Sequence, residues 1–185
     1  YYTVIDNFKD FNVEMVFKKG VLYWNNGELR DFDAPQIEEY LDKRAHDTFH
    51  VATLTPDDFR DTRQRGVLGM VPGEIIPTDN GYADHVDLEK DILKIAVVER
   101  HKGTHHIGLG YIQGYGLRSG AVATSISHDS HNIIVVGTNS ADMAFAANYI
   151  VEHHGGIVVV ENGVVKGSVV LEIAGIMSDR PLAAV

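Results

Sequence analysis

The chain has 185 residues, of which 44% are apolar and 23% charged, the make-up of a folded globular protein rather than a disordered, collagen-like or coiled-coil one. Sixteen Lys and Arg against 26 Asp and Glu give a formal charge of −10, which disfavours binding to nucleic-acid backbones and to anionic membrane surfaces. There is no cysteine, so disulfides, thiolate metal sites and cysteine nucleophiles are excluded and a reducing cytoplasm is the expected setting. The length fits one large domain or two small ones. The longest apolar runs, 133–136 and 157–160, fall far short of the roughly 20 residues of a membrane helix. The sequence opens on Tyr1 with no signal-peptide pattern, and it reads as an excerpt of a longer protein.

The first thirty residues read as β. Val13, Met15 and Phe17 alternate, an apolar run follows at 21–24, and Asn26-Gly27 signals a tight hairpin because both residues tolerate positive φ. Residues 31–34 are a predicted boundary. Pro35 opens a predicted helix over 36–45, with Ile37, Tyr40 and Leu41 at helical spacing. Thr55-Pro56-Asp57-Asp58 is a cap followed by an N-terminal Pro and early acids, and predicts a short helix. Residues 67–71 and 74–77 flank the turn dipeptide Pro72-Gly73, and the polar stretch 79–90 is expected to be a surface loop. Residues 92–98 are almost continuously apolar and predict a central strand. Six glycines between Gly103 and Gly120 permit positive φ and close backbone approach, and can support a loop. Strands follow at 121–127 and 133–136, then a helix over 141–154 capped by Asn139 or Ser140 and ended by Gly155-Gly156. Residues 157–161 and 164–173 form a hairpin about Asn162-Gly163. The order predicts an α+β fold: a mixed β-sheet domain with a late packed helix and a C-terminal β-hairpin.

The densest chemistry is His128-Asp129-Ser130-His131-Asn132, between two apolar strands. Histidine beside a carboxylate can move or orient a proton, so His128, Asp129 and His131 are the candidate catalytic residues, with Ser130 and Asn132 lining the same site. The plainer reading is a polar turn whose Asp and Asn satisfy local backbone groups. Glu99-Arg100-His101, after the central strand, is a second candidate segment, against the plainer reading of an exposed charged turn. Ser178 and Asp179 close an apolar run near the C-terminus, as site lining or as a simple cap. Gly108-Leu109-Gly110 lacks the dinucleotide fingerprint, there is no phosphate loop, and neither His-x-His nor His-Glu-x-x-His occurs.

Taken in order, Leu93 to His101, Gly114-Tyr115-Gly116-Leu117, Gly120-Ala121, Ser127 to Ile133, Val135 to Asn139 and Ile173 to Asp179 resemble the C-terminal domain of bacterial adenine deaminase, in the amidohydrolase superfamily. Asn7-Phe8 and Val13 to Gly20 resemble the strand that leaves the metal-binding barrel of these enzymes. The resemblance implies that 1–34 ends the barrel-flanking small β-domain and that 35–185 is the C-terminal domain. It departs from the family pattern at His105-His106, Glu172 and Ile176, and none of these touches 128–132.

The resemblance further implies a hydrolase of purine metabolism, in which adenine catabolism yields hypoxanthine and ammonia. It implies a manganese or iron pair held by the barrel, with no metal ligand in this chain. The partners it implies are adenine, the chain's own barrel and a homo-oligomeric assembly in the cytoplasm. The isolated chain is then expected to be inactive, with 128–132 completing or covering the active site. The rival expectations are a purely structural or oligomerisation domain, and a standalone metal module in which His101 or Glu99 joins His128 and His131.

Overall fold

A computed structural model describes residues 1–30, 36–181 and 184–185. The expected boundary at 31–34 and the helix start at Pro35 lie outside the described residues. The chain divides into two units, Tyr1–Glu38 and Glu39–Val185.

The first unit is an antiparallel meander of β1 (Tyr2–Ile5), β2 (Val13–Lys18), β3 (Val21–Asn25) and β4 (Glu28–Leu29). Asn26 and Gly27 both take positive φ, 44° and 98°, the mirror-image turn whose twist matches a two-residue hairpin. Tyr2 stacks on Phe17 at 4.5 Å across the β1–β2 pair. None of the unit's described residues is fully buried. A lone small meander has no second layer to exclude water, so its apolar side chains stay wet.

The second unit begins with α1 (Glu39–His46), which buries none of its residues, and a 3₁₀ turn at Pro56–Phe59. The Asp58 carboxylate accepts from the Thr55 N–H and hydroxyl, as the capping pattern predicts. Then come β5 (Arg65–Gly69), β6 (Thr78–Ala83), β7 (Ile92–Val98), β8 (Ile107–Gln113), β9 (Ala121–Thr124), β10 (Ile133–Gly137), α2 (Ser140–Glu152), β11 (Gly156–Glu161) and β12 (Val164–Val170). The strands form one eight-stranded sheet in the order β12-β11-β9-β10-β7-β8-β5-β6. Every neighbouring pair is antiparallel except β5 with β8. The arrangement is α+β, as the order of elements predicts. Among the described residues no helix is long and apolar enough to cross a membrane.

α2 lies on one face of the sheet, against β9, β10 and β11. Met143, Ala144, Ala146, Ala147 and Ile150 meet Ala121, Ala123, Ile133, Val135, Val158 and Val160, all buried. Alanines on both β9 and the helix bring the backbones close, and the larger aliphatics fill the space between; each full-sized one contributes about 1.5–3 kcal/mol. Asn139 caps the helix by accepting from the Asp142 N–H at 2.8 Å. Asp142, itself buried, accepts from the N–H groups of Asn162 and Gly163, tying the helix start to the β11–β12 turn. Desolvation raises its pKa, but these bonds and that from Asn139 outweigh it and hold the carboxyl below its usual value.

Two expectations need correcting. Residues 78–83 are not loop but the edge strand β6: their polar pattern follows from pairing on one side only. The glycine-rich stretch includes β8, where Gly108 and Gly110 pair with Val97 and Ile95 in ordinary extended backbone.

Gly156 has φ 127°, and a Cβ there would overlap the Val169 carbonyl. Gly156→Ala is therefore expected to lower the stability of the chain by about 3 kcal/mol or more. Gly163→Ala, at φ 69° in open space, should lose only about 1 kcal/mol. Urea unfolding of the two variants checks this; equal losses would contradict the packing at β11–β12.

Candidate functional site

Register places the end of β7, the end of β9, the start of β10, the start of β11 and the end of β12 at one end of the sheet, with Val98 opposite Ile133, Thr124 opposite Ile157 and Gly156 opposite Val170. The segments 99–106, 125–132 and 171–179 leave the sheet there.

Arg100 joins them. It is only 2% exposed. Its Nε donates to the His131 carbonyl at 2.5 Å, one terminal nitrogen to the Thr48 carbonyl and hydroxyl at 2.8 and 3.0 Å, and the other to the Ala174 carbonyl at 2.9 Å. The guanidinium lies over the Phe49 ring, 4.2 Å from its centroid. Among the described residues no carboxylate pairs with it. Burial pushes its pKa down, though a guanidinium stays charged in a protein. Gly175 is placed so that a Cβ would come 3.0 Å from Phe49, and the Gly175 carbonyl accepts from the buried Ser125 hydroxyl at 2.5 Å.

Glu99 closes its own loop. Its carboxylate accepts from the N–H groups of His101 and Lys102 at 2.6 and 2.9 Å, and from the Thr104 N–H and hydroxyl. Desolvation pushes its pKa up, but the Thr104 hydroxyl and the three N–H groups outweigh it and hold the carboxyl at about 2. The His101 Nε2 donates to the Ser130 carbonyl at 2.8 Å. The two candidate segments therefore meet, through His101 with Ser130 and Arg100 with His131.

The turn itself is held by the Ser127 carbonyl, which accepts from the His131 N–H at 2.8 Å, and by the hydroxyls of Ser127 and Ser130, 3.3 Å apart. Asp129 and His131 take left-handed φ values of 69° and 48°. His128 and Asp129 stand at the tip with Nδ1 and Oδ1 3.2 Å apart and side chains 96% and 89% exposed. His131 and Asn132 are half-buried, and His131 Nδ1 and Asn132 Oδ1 are shielded from water with no partner among the described residues. Ser178 accepts from the Arg180 N–H, Asp179 is exposed, and no hydrogen bond joins either to 128–132 among the described residues.

The sequence reading thus brought together a site-lining set that the structure divides. Glu99, Arg100, His101 and Ser130 bind backbone and shape the end of the sheet. His128, Asp129, His131 and Asn132 are the groups with hydrogen-bonding capacity to spare. Thr48, Phe49, Ser125 and Gly175 were missed, because they serve the site through a carbonyl, a ring face, a buried hydroxyl and a missing Cβ. Among the described residues no three His, Asp or Glu side chains are placed to hold a metal ion. Glu99 and His101, the third ligands a metal module needs, are already engaged.

Arg100→Met is expected to lower stability by roughly 3–5 kcal/mol, since it strands buried carbonyls on three segments. Arg100→Lys should not rescue it, because a point ammonium cannot reproduce the fork. Urea unfolding reads this; a loss under about 1 kcal/mol would contradict the anchor. Acid should loosen the 99–104 loop. The folded Glu99 carboxyl titrates at about 2 against a model-peptide value of 4.5, so its stabilisation is complete above 4.5 and is lost as pH falls through about 2. The backbone amide shifts of His101 and Lys102, followed by NMR from about pH 6 down, should move across that window and not in Glu99→Gln. Shifts that stay flat in the parent would contradict the bonds to Glu99.

The family model described as adenine deaminase C-terminal domain matches residues 73–185. An adenine deaminase of Dehalococcoides mccartyi is 37% identical over an alignment covering 98% of this chain and 33% of that protein. One of Petrotoga mobilis is 38% identical over 98% of this chain and 33% of its own length. One of Bacillus velezensis is 48% identical over 70% of this chain and 24% of that protein. The chain spans about a third or less of these curated relatives. The match over 73–185, together with relatives aligned along almost the whole sequence, shows that the chain belongs to the adenine deaminase C-terminal domain family.

Proposed function

We propose that this chain is the C-terminal part of an enzyme that adds water to adenine and releases hypoxanthine and ammonia, and that its 128–132 turn completes or covers the active site. The names of the relatives support the reaction. The observation that carries the role of the turn is the pair of shielded, unpartnered atoms, His131 Nδ1 and Asn132 Oδ1. Leaving such groups unmatched costs about 1–3 kcal/mol each, and a further group, a ligand or an ordered water meets them in a folded protein. Beside them the His128–Asp129 pair stands free at a strained tip, where an imidazole held by a carboxylate can pass a proton to or from a reacting atom.

Among the described residues no set of side chains fits a metal pair; we assign the manganese or iron that the family resemblance implies to polypeptide beyond this chain, and expect the chain alone to turn over no adenine. The same reading makes residues 1–34 the end of the small β-domain beside the barrel. In support, no described residue of the first unit is fully buried, so that meander needs more chain to form a core. We place the enzyme in the cytoplasm as a homo-oligomer. The rival structural reading is favoured only for Arg100 and Glu99, whose polar atoms are occupied by backbone and by the Thr48 and Thr104 side chains.

In the full-length enzyme, His128→Ala and His131→Ala are each expected to lower kcat/KM by about 10²–10⁴-fold, the usual contribution of a positioned proton-transfer group. The melting temperature should move little, because neither ring supports the fold by a hydrogen bond. Both are measured on one preparation. A well-folded double variant with parent kinetics would overturn the role of the turn.

A further inference from the structure

The face of the eight-stranded sheet away from α2 is open, and its outward side chains are the wrong kind for water. Val97 on β7, Leu68 on β5, Ile157 and Val159 on β11 and Val169 on β12 point there and are 37–45% exposed, while their strand neighbours Ala96, Val98, Val67, Val158 and Val160 are buried on the other face. Among the described residues the middle is covered, where Val86 and Leu117 pack on Leu93, Ile112 and Val136. An antiparallel sheet that faces solvent normally turns polar side chains outward. A contiguous apolar face marks a surface that another body covers.

The β5–β8 half of this face is hollowed into a groove of about 570 Å³, walled by Leu68, Tyr82, Ile95 and Val97. Its floor is Gly108 and Gly110. Neither has positive φ, and a Cβ would meet only the Val97 carbonyl at 4.0 Å at the first, or Gly66 O and Ile95 Cγ2 at 3.5 and 3.6 Å at the second. Nothing within the described residues therefore requires glycine at either position, although glycine weakens a strand interior. Glycine in such a place fits the close approach of another backbone.

We infer that this face is the seat of the polypeptide that precedes Tyr1 in the intact enzyme, docked through an apolar segment whose backbone lies over Gly108 and Gly110. The inference rests on the proposed function only in taking the chain as part of that longer enzyme. Relatives aligned over 98% of this chain are about three times its length, so the covering body is supplied in cis. A tethered segment sees the groove at an effective concentration of order mM, with no encounter needed. A second copy is the other occupant, and mixed heavy–light cross-links in the test below would reveal it.

The test uses full-length enzyme with a photo-cross-linking phenylalanine analogue at position 97 or 157, as an equal mixture of isotopically heavy and light protein. Mass spectrometry after irradiation should find cross-links to residues preceding Tyr1, in all-heavy and all-light pairs. Mixed heavy–light pairs, or no cross-link at either position, would overturn the proposal. Gly108→Val gives an independent readout of opposite sign. It should raise or leave unchanged the melting temperature if the face is open, since valine suits a strand. It should lower that of the full-length enzyme by about 3 °C or more if a backbone lies on it. A raised or unchanged midpoint contradicts docking. Adenine turnover of the same preparations is recorded separately: loss of turnover with the cross-links in place counts against the proposed function and not against the docking.

Discussion

The buried guanidinium of Arg100 decides the geometry of the whole functional end of the sheet. Taking a charge out of water costs several kcal/mol, and no carboxylate among the described residues offsets that cost. What offsets it is a set of four charge-assisted bonds to oxygens of Thr48, His131 and Ala174, each worth about 1.5–3 kcal/mol, and the face of Phe49. These acceptors come from three segments far apart in sequence. None could relax alone without stranding the charge, so the segments are held in register with one another. That rigidity allows the 128–132 turn to keep two non-glycine residues at left-handed φ, a strain of order 1–3 kcal/mol each that a loose loop would release.

Below this anchor the domain is asymmetric. One face of the sheet is closed by α2 in a dry core of alanines and branched aliphatics, which fixes the strands and thereby the loops at their ends. The other face is apolar and largely uncovered. The first unit carries the same message more strongly, since none of its described residues is fully buried. Such surfaces are stable only in company. A chain that spans about a third of its relatives, with an apolar face and shielded polar atoms that no described residue meets, has the physical character of one part of a larger body.

The parts legible in the sequence were those with strong local signals. β7 could be read from its unbroken apolar run, α2 from its stripe and Asn139 cap, and both Asn-Gly hairpins from their demand for positive φ. β6 and β8 were illegible for different reasons: β6 is an edge strand, which needs no apolar alternation, and the glycines of β8 adopt ordinary extended backbone but look the same in sequence as glycines that turn. Helix α2 ends at Glu152 with His154, not a glycine, in the left-handed region, and the Gly155 N–H donates to the Ile150 carbonyl to complete the cap; glycine is required after it because a Cβ would overlap Gly175 and the Leu171 carbonyl at Gly155 and the Val169 carbonyl of β12 at Gly156. The meeting of 99–101 with 128–132 was legible from the pattern of ionisable residues after apolar strands. The role of Arg100 was not, because its partners are backbone carbonyls, which no side-chain pattern announces.

On the proposed function, this anchored end holds the 128–132 turn against the reacting purine. A structure of the full-length enzyme with hypoxanthine bound tests this. His131 Nδ1 or the His128 ring should then lie within direct hydrogen-bond reach of the purine, about 3 Å, or one water away. A turn that points to solvent or to a subunit contact, with the purine enclosed entirely by other residues, would contradict it.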